Sequence, residues 1–583
     1  MYLSSQRKKL TVRVIPDIDG IAQEFDYAVP DDWHDSGDSE YLEVGAIVRV
    51  KFRNRSVRGW ITEINPEPQV KMELLPLRKV SGIGPSEEIV NLAKWASKHW
   101  HGPVTKFLRV ASPKFMIKTS HAHIENHRGQ AGVNDTSKNI SGGFKALAKE
   151  IPPLGDRWPL IQETIRHGNS LILVPSVRQA QNLVGRLKSI GIRSGLHGKD
   201  WLLGAQGGTI VGTRSAAFAS IKNLSAILMI DEHDDAYRNE ATPTWNARDV
   251  IFERARMADI PVTFTSPMLT CESRSETQVK ELSQSLKQMG WGNIRVFDPN
   301  QSNYQSRGLW PSEVIDELKD SERSLVILNR KGRSKLLVCS SCDEIVTCSE
   351  CMGKMHQPNE DSLSCSEGHQ RPVVCSFCLS TNLKNLRVGI TRAKEELEAL
   401  LQEEVQEIHS SGSDINLQKG KYYLGTNAAL HRVDWADIIF FADYDQELYT
   451  TNYRSEEIAL SNLVRAVRIT NARSRPAGQV ILQTRSQKNK LVELIREGNF
   501  SKWSELNADR RKLLLLPPYG SYAEVSGSGA NKYAEGLKFC DGIEVLGPSN
   551  GSWLVKAKSH SQLLQSLSSV PRPKEQLRIA VNG

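Results

Sequence analysis

The chain has 583 residues, 39% hydrophobic and 24% charged, the balance of a globular protein long enough for several domains. Its longest apolar runs, Ile438 to Ala442 and Leu513 to Leu516, are of core-strand size, far below the roughly 18 residues a membrane-spanning helix needs, and no membrane partner is expected. The net charge of +8, with an isoelectric point near 8.9, favours a polyanionic partner without identifying one.

The amino terminus, MYLSSQRKKLTVRV, is basic but has no apolar segment suited to export, so a cytoplasmic protein is expected. Residues 1–113 read as a small β-rich domain. LTVRVIP (10–16) and VGAIVRVKFRNRSVRGWITEI (44–64) alternate apolar and polar residues, as half-exposed antiparallel strands do. Residues 114–143, rich in Ser, Asn, Gly and His, read as a flexible linker whose histidines lack metal spacing. From Phe144 onward apolar runs recur between helix-like stretches: LILVP (171–175), TIVGT (209–213), AILMID (226–231), VTFTS (262–266) and IRVFD (294–298). LVILN (325–329), LRVGI (386–390), YYLGT (422–426), DIIFFAD (437–443) and QVILQT (479–484) follow. Such runs predict parallel sheets covered on both faces, divided into one lobe over 144–300 and a second over 301–338 and 383–500. Residues 501–583 predict a smaller α+β domain.

Seven of the nine cysteines lie between Cys339 and Cys378, and in a chain without an export signal that clustering points to metal rather than disulfides. Three C-x2-C pairs, Cys339/Cys342, Cys348/Cys351 and Cys375/Cys378, are joined by Cys365. Each such turn aims two thiolates at one tetrahedral centre, and seven thiolates are one short of two complete structural zinc sites. His369, four residues beyond Cys365, is the natural eighth ligand; His356 is the alternative, as is a single zinc with spare thiols. The spacing leaves the pairing open. An interleaved arrangement, outer pairs on one ion and 348/351/365/369 on the other, would tie the ends of the insertion (339–382) together. Cys271 and Cys540 stand alone, as buried cysteines do.

The insertion, with VILNRKGRSKLLVC (326–339) ahead of it, resembles primosomal protein N′ (PriA), a bacterial replication-restart helicase family. VGTRSAAFA (211–219), TPTWNARDVIFERA (242–255), FDYAVP (25–30), VGAIVRVKF (44–52) and RRKLLLLPPY (510–519) are similar to further phrases of that family, in order along the chain. The resemblance implies two RecA-like parallel-sheet lobes, the superfamily 2 helicase core, with a two-zinc insertion, an amino-terminal domain that binds DNA 3′ ends, and a carboxyl-terminal α+β domain. It further implies branched and single-stranded DNA as partners, with primosome proteins, the replicative helicase loader and single-strand-binding protein, and hence a nucleoid-associated location.

The motor's parts are altered. No G-x4-GK[ST] loop occurs in the sequence, and PPLGDRWP (152–159) stands where the family places it. Three prolines there lack an N–H, and Arg157 and Trp158 add bulk where glycine lets backbone approach phosphate. The family's DEEHD becomes DEHDD, keeping Asp231 and Glu232; its GRAGR becomes VRAVR, keeping Arg465 and Arg468 while Val464 and Val467 replace the glycines. FTSPM (264–268) and GTNAALHR (425–432) replace its coupling phrases. These four residues are read as nucleotide-site remnants, no catalytic residue is assigned, and ATP with magnesium is not expected. The pattern resembles an actinobacterial branch of the family thought to lack helicase activity; an unusual working ATP site is the alternative.

DNA contact must then come from charge and shape. NRKGRSK (329–335), with Arg330, Lys331 and Arg333, and KFRNRSVR (51–58) are candidate phosphate-binding runs. The resemblance assigns Phe25 and Asp26 to the pocket for a terminal 3′ nucleotide, Phe25 stacking on a base and Asp26 accepting from the hydroxyl. Arg53 stands where the family has a pocket glycine. A zinc-stabilised assembly scaffold that touches DNA little is the remaining reading.

Overall fold

The structure, a computed structural model, describes residues 10–582 apart from 21–22, 68–72, 119–142, 284, 287–289, 300–308, 330–336, 343, 352, 358–361, 366–367, 386–389, 409–419, 451, 473–477 and 550. Most of the expected linker, the run Arg330/Lys331/Arg333 and nearly all of LRVGI therefore lie outside the described residues.

Alternation in the first domain produces a five-stranded antiparallel sheet in the order Phe25–Ala28, Thr11–Pro16, Arg55–Ile64, Ile47–Phe52, Lys79–Gly82. Val12 and Val14 are fully buried on one face of the sheet, while Arg13 between them lies half-buried on the other. Arg53 and Asn54 turn the central hairpin with φ of 43° and 64°, the left-handed pair that a two-residue turn between twisted strands requires. The domain is less purely β than its sequence implied. Glu87–His99 and Val104–Ala111 are helices whose buried Ile89, Val90, Leu92, Ala93 and Ala96 recur at helical spacing. They carry the domain onto the first lobe, where Phe107 meets Phe218 with ring centroids 5.7 Å apart.

The first lobe is a seven-stranded sheet ordered Gln278–Lys280, Lys145–Glu150, Pro261–Ser266, Ala226–Met229, Ser170–Leu173, Thr209–Gly212, Ser194–Leu196, every pairing parallel. Its central strands are buried throughout, which is why they read as unbroken apolar runs. The second lobe has six parallel strands, ordered Asn293–Phe297, Gln479–Gln483, Ile438–Phe441, Ser324–Ile327, Tyr422–Gly425, Val405–Ile408. One assignment needs correction: IRVFD, counted with the first lobe, pairs with Gln479–Gln483 in the second. An apolar run marks a strand but not the sheet it joins, and this one follows the crossover between lobes.

The carboxyl-terminal region is α+β. Helix Phe500–Leu513 leaves the second lobe, where Phe500 stacks on Trp291 at 3.6 Å, and leads into a four-stranded antiparallel sheet covered by Ala530–Leu537 and His560–Ser569. Among the described residues no helix is long and apolar enough to cross a membrane.

Candidate functional site

The cysteine insertion is built from two small antiparallel sheets. Leu337–Cys339 pairs with Leu383–Asn385 at its base, and Met355–His356, Ser362–Cys365 and Gln370–Pro372 form its tip. These strands bring eight ligand side chains into two groups, Cys339/Cys342/Cys375/Cys378 and Cys348/Cys351/Cys365/His369, with ligand atoms in each group within 4.8 Å of one another. Sulfur separations of 3.5 Å (Cys339–Cys378), 3.6 Å (Cys342–Cys375) and 3.7 Å (Cys351–Cys365) are far beyond the roughly 2.05 Å of a disulfide. They approach the edge of about 3.8 Å that a tetrahedron with Zn–S bonds of about 2.3 Å requires. His369 Nδ1 lies 3.6 Å from Cys348 Sγ and 3.5 Å from Cys365 Sγ, close to the about 3.6 Å of a mixed N/S edge. Both donor sets therefore fit zinc, with four ligands each and no position left for water. His356 is exposed on its strand and belongs to neither group. Glu350, inside the Cys348/Cys351 turn, sits 3.3 Å from His369 Nε2, the placement of an outer-shell carboxylate that orients a ligand histidine.

The second cluster lies in the cleft between the lobes. Asp231 follows strand Ala226–Met229 in a left-handed conformation (φ 58°) and is 1% exposed. Its carboxylate is shared by two guanidinium groups. Arg468, from helix Ser455–Thr470 of the second lobe, donates from Nη1 to Oδ2 at 2.5 Å and from Nη2 to Oδ1 at 2.8 Å, while Arg157 Nη2 donates to Oδ1 at 3.3 Å. Arg157 also donates to the backbone oxygens of Gly155 (2.6 Å), Pro153 (3.2 Å) and Pro152 (3.3 Å), and Arg468 Nε donates to that of Pro153 at 3.0 Å. A phosphate-binding loop turns amides toward an anion. Here PPLGDRWP turns carbonyls toward cations, so the polarity of the site is reversed.

Burial raises the pKa of Asp231, but Arg468 and then Arg157 outweigh it and hold the group well below the usual carboxylate range. Burial instead dominates at Glu232, pushing it up to about 7 although Thr270 donates to it from its N–H at 2.8 Å and from its hydroxyl at 2.9 Å. Burial pulls His233 down to about 4, and its Nδ1 lies 2.9 Å from Ser266 Oγ. Arg465, one turn before Arg468 on the same helix face, pairs with Asp234 and lies 2.6 Å from His431 Nε2. Val464 and Val467 are buried in the second lobe's core.

In the first domain the Phe25 ring meets Phe52 edge-on at 5.2 Å, and the exposed Arg53 lies over Phe52 at 5.6 Å. The Asp26 side chain, 3% exposed, is held by Arg13, with Nε to Oδ1 at 2.8 Å.

Comparison with known proteins places these features. Residues 13–113 match the family of the PriA 3′DNA-binding domain (3′BD). Replication restart protein PriA of Rickettsia conorii is 21% identical over 562 residues, 87% of this chain and 85% of the relative. The PriA of Haemophilus influenzae is 24% identical, with 68% of this chain and 61% of that protein covered. That of Bacillus subtilis is also 24% identical, covering 67% and 55%, so the chain spans about half of that relative's length. Over most of its length the chain is similar to the PriA proteins, and residues 13–113 carry the match to their 3′DNA-binding domain. A solved structure of S. cerevisiae Dbp5 bound to RNA and ADP BeF3 is similar at 10% identity, over 74% of this chain and 98% of that one, with a TM-score of 0.35.

Set against the PriA phrases, Asp231 and Arg468 meet each other in the cleft, while Glu232 is held by Thr270 and Arg465 pairs with Asp234. Arg157 was legible only as bulk in a degraded loop; its contact with Asp231 spans 74 residues. Glu350 and Thr270 carry no sequence signal beyond their neighbours.

Two checks follow. Metal analysis of the purified protein is expected to find two zinc ions per chain, and Glu350→Ala to weaken the inner site about 10- to 100-fold in competition with a colorimetric chelator while sparing the outer one. Glu232, with its pKa raised on folding, contributes stability that is present below about 4.5 and lost as pH rises through about 7. Glu232→Gln should thus gain on the parent between about pH 5 and about pH 8, by at most about 3 kcal/mol, read from melting at both pH values. Asp231 has the opposite sign, its contribution being lost on acidification.

Proposed function

We propose that this chain acts in replication restart as a protein that binds branched and single-stranded DNA without hydrolysing ATP, and helps reassemble the primosome there. The observation that carries the ATP-independent part is the Asp231 carboxylate. In a motor of this family it would hold magnesium beside the nucleotide, and here both its oxygens accept from Arg468 and Arg157. Recognition of DNA is supported by the match of residues 13–113 to a 3′DNA-binding domain. The Phe25/Phe52 pair with Arg53 offers a face on which an unpaired base could stack beside a cation, with Asp26 setting Arg13 rather than meeting the 3′-hydroxyl directly. Arg330, Lys331 and Arg333 would add phosphate contacts.

The two zinc ions in this reading are structural. They would close an insertion whose small buried cluster, among the described residues, holds Leu337, Val346, Cys348, Met355, Leu363 and Cys365. Primosome proteins, the helicase loader and single-strand-binding protein are proposed partners from the PriA relatives. The competing reading, an ATP-dependent 3′-to-5′ helicase, would need Arg157 and Arg468 to leave Asp231.

Fork binding measured by anisotropy across a salt series should exceed binding to an unbranched duplex of equal length at every salt. Arg53→Ala with Phe25→Ala should weaken it about tenfold or more, given roughly 1–3 kcal/mol for a stacked base. Equal affinity for fork and duplex would remove the fork assignment, and DNA-stimulated phosphate release above background would remove the non-catalytic one.

A further inference from the structure

We infer that helix Ser455–Thr470 is a strut fastened to the first lobe at both ends, so that the two lobes are held closed by the chain's own ion pairs with no nucleotide between them. The inference rests on the ATP-independent reading above and adds a mechanical consequence to it. At the carboxyl-terminal end of the helix, Arg468 grips Asp231 and the Pro153 carbonyl, and Arg465 pairs with Asp234. All three acceptors belong to the first lobe.

The other end is fastened by a residue from outside both lobes. Arg511, on helix Phe500–Leu513, is 1% exposed and lies between a carboxylate of each lobe. It reaches Glu457 in the strut's first turn at 2.5 Å and Glu272 of the first lobe at 3.2 Å, and also donates to the Pro517 carbonyl at 2.9 Å. Arg454 and Asn507 complete the junction, contacting Glu457 at 2.7 Å and 3.2 Å. Glu272 stands two residues beyond Thr270, whose N–H and hydroxyl hold Glu232, so the two fastenings are joined through the first lobe as well.

Geometry turns two contacts into a lock. Glu457 and Arg468 are 11 residues apart on one helix, roughly 16 Å at the α-helical rise. A single ion pair leaves a lobe free to swing about it, whereas two attachments that far apart along a rigid rod remove that freedom. A motor of this architecture opens and closes its cleft with each nucleotide; this one presents DNA with a two-lobed surface of fixed shape.

The test is a distance measurement on the full chain. Spin labels on noncanonical residues at positions 188 and 490, exposed lysines on the first and second lobes, leave the metal-site cysteines untouched. Pulsed electron resonance should give one narrow distance distribution, unchanged by Mg-ATP. Arg468→Ala with Arg511→Ala should at least double its width, and each single variant should broaden it less. If the double variant does not fold, Arg468→Lys with Arg511→Lys keeps the charges but loses the forked contacts, and is expected to broaden the distribution in the same sense. A broad distribution in the parent, or one as narrow in the folded variants as in the parent, would overturn the strut. Phosphate release by the parent, with its distribution still narrow before nucleotide is added, would instead overturn only the ATP-independent reading.

Discussion

The carboxylate of Asp231 organises the cleft. Buried and backbone-strained, it would be costly to leave ionised, and the chain offsets that cost with two guanidinium groups. Removing one partner from a buried pair of this kind typically costs about 3–5 kcal/mol, whereas a wholly apolar replacement can be neutral. The arrangement is therefore better understood as specifying a geometry than as maximising stability. It sets the path of residues 152–157, whose carbonyls turn inward to Arg157, and the orientation of helix Ser455–Thr470, which supplies Arg468.

A similar logic applies to the insertion. Its outer ligand pairs come from the two ends of the segment and its inner group from between them, so a metal at the first would close the base and one at the second would organise the tip. The hydrophobic core there is too small to fold the segment unaided. Metal, rather than burial, would then determine where it sits on the second lobe, just as, in the proposed reading, ion pairs rather than nucleotide would determine where that lobe sits on the first.

The two-lobed α/β fold was legible because strands buried on both faces leave unbroken apolar runs such as AILMID and DIIFFAD. Short edge strands were not: Gln278–Lys280 and Ser194–Leu196 are too brief and mixed to show a period. Asn293–Phe297 was visible as a strand but not as the second lobe's, since sheet membership is a tertiary fact. The grouping of cysteine side chains follows C-x2-C spacing closely, while the choice of His369 over His356 depended on where a hairpin turned. Arg157 and Arg511 illustrate what sequence withholds. They act on carboxylates 74 and 239 residues distant respectively, and although Arg511 lies in the phrase RRKLLLLPPY, nothing local names the partner of either.

The central claim is that the cleft is filled by the protein's own cations. Isothermal titration of the zinc-loaded protein with Mg-ATP addresses it most directly. No saturable binding heat is expected up to millimolar nucleotide. A saturable isotherm with micromolar affinity would contradict it, because phosphate cannot occupy a site whose acid and loop carbonyls are already held by Arg157 and Arg468.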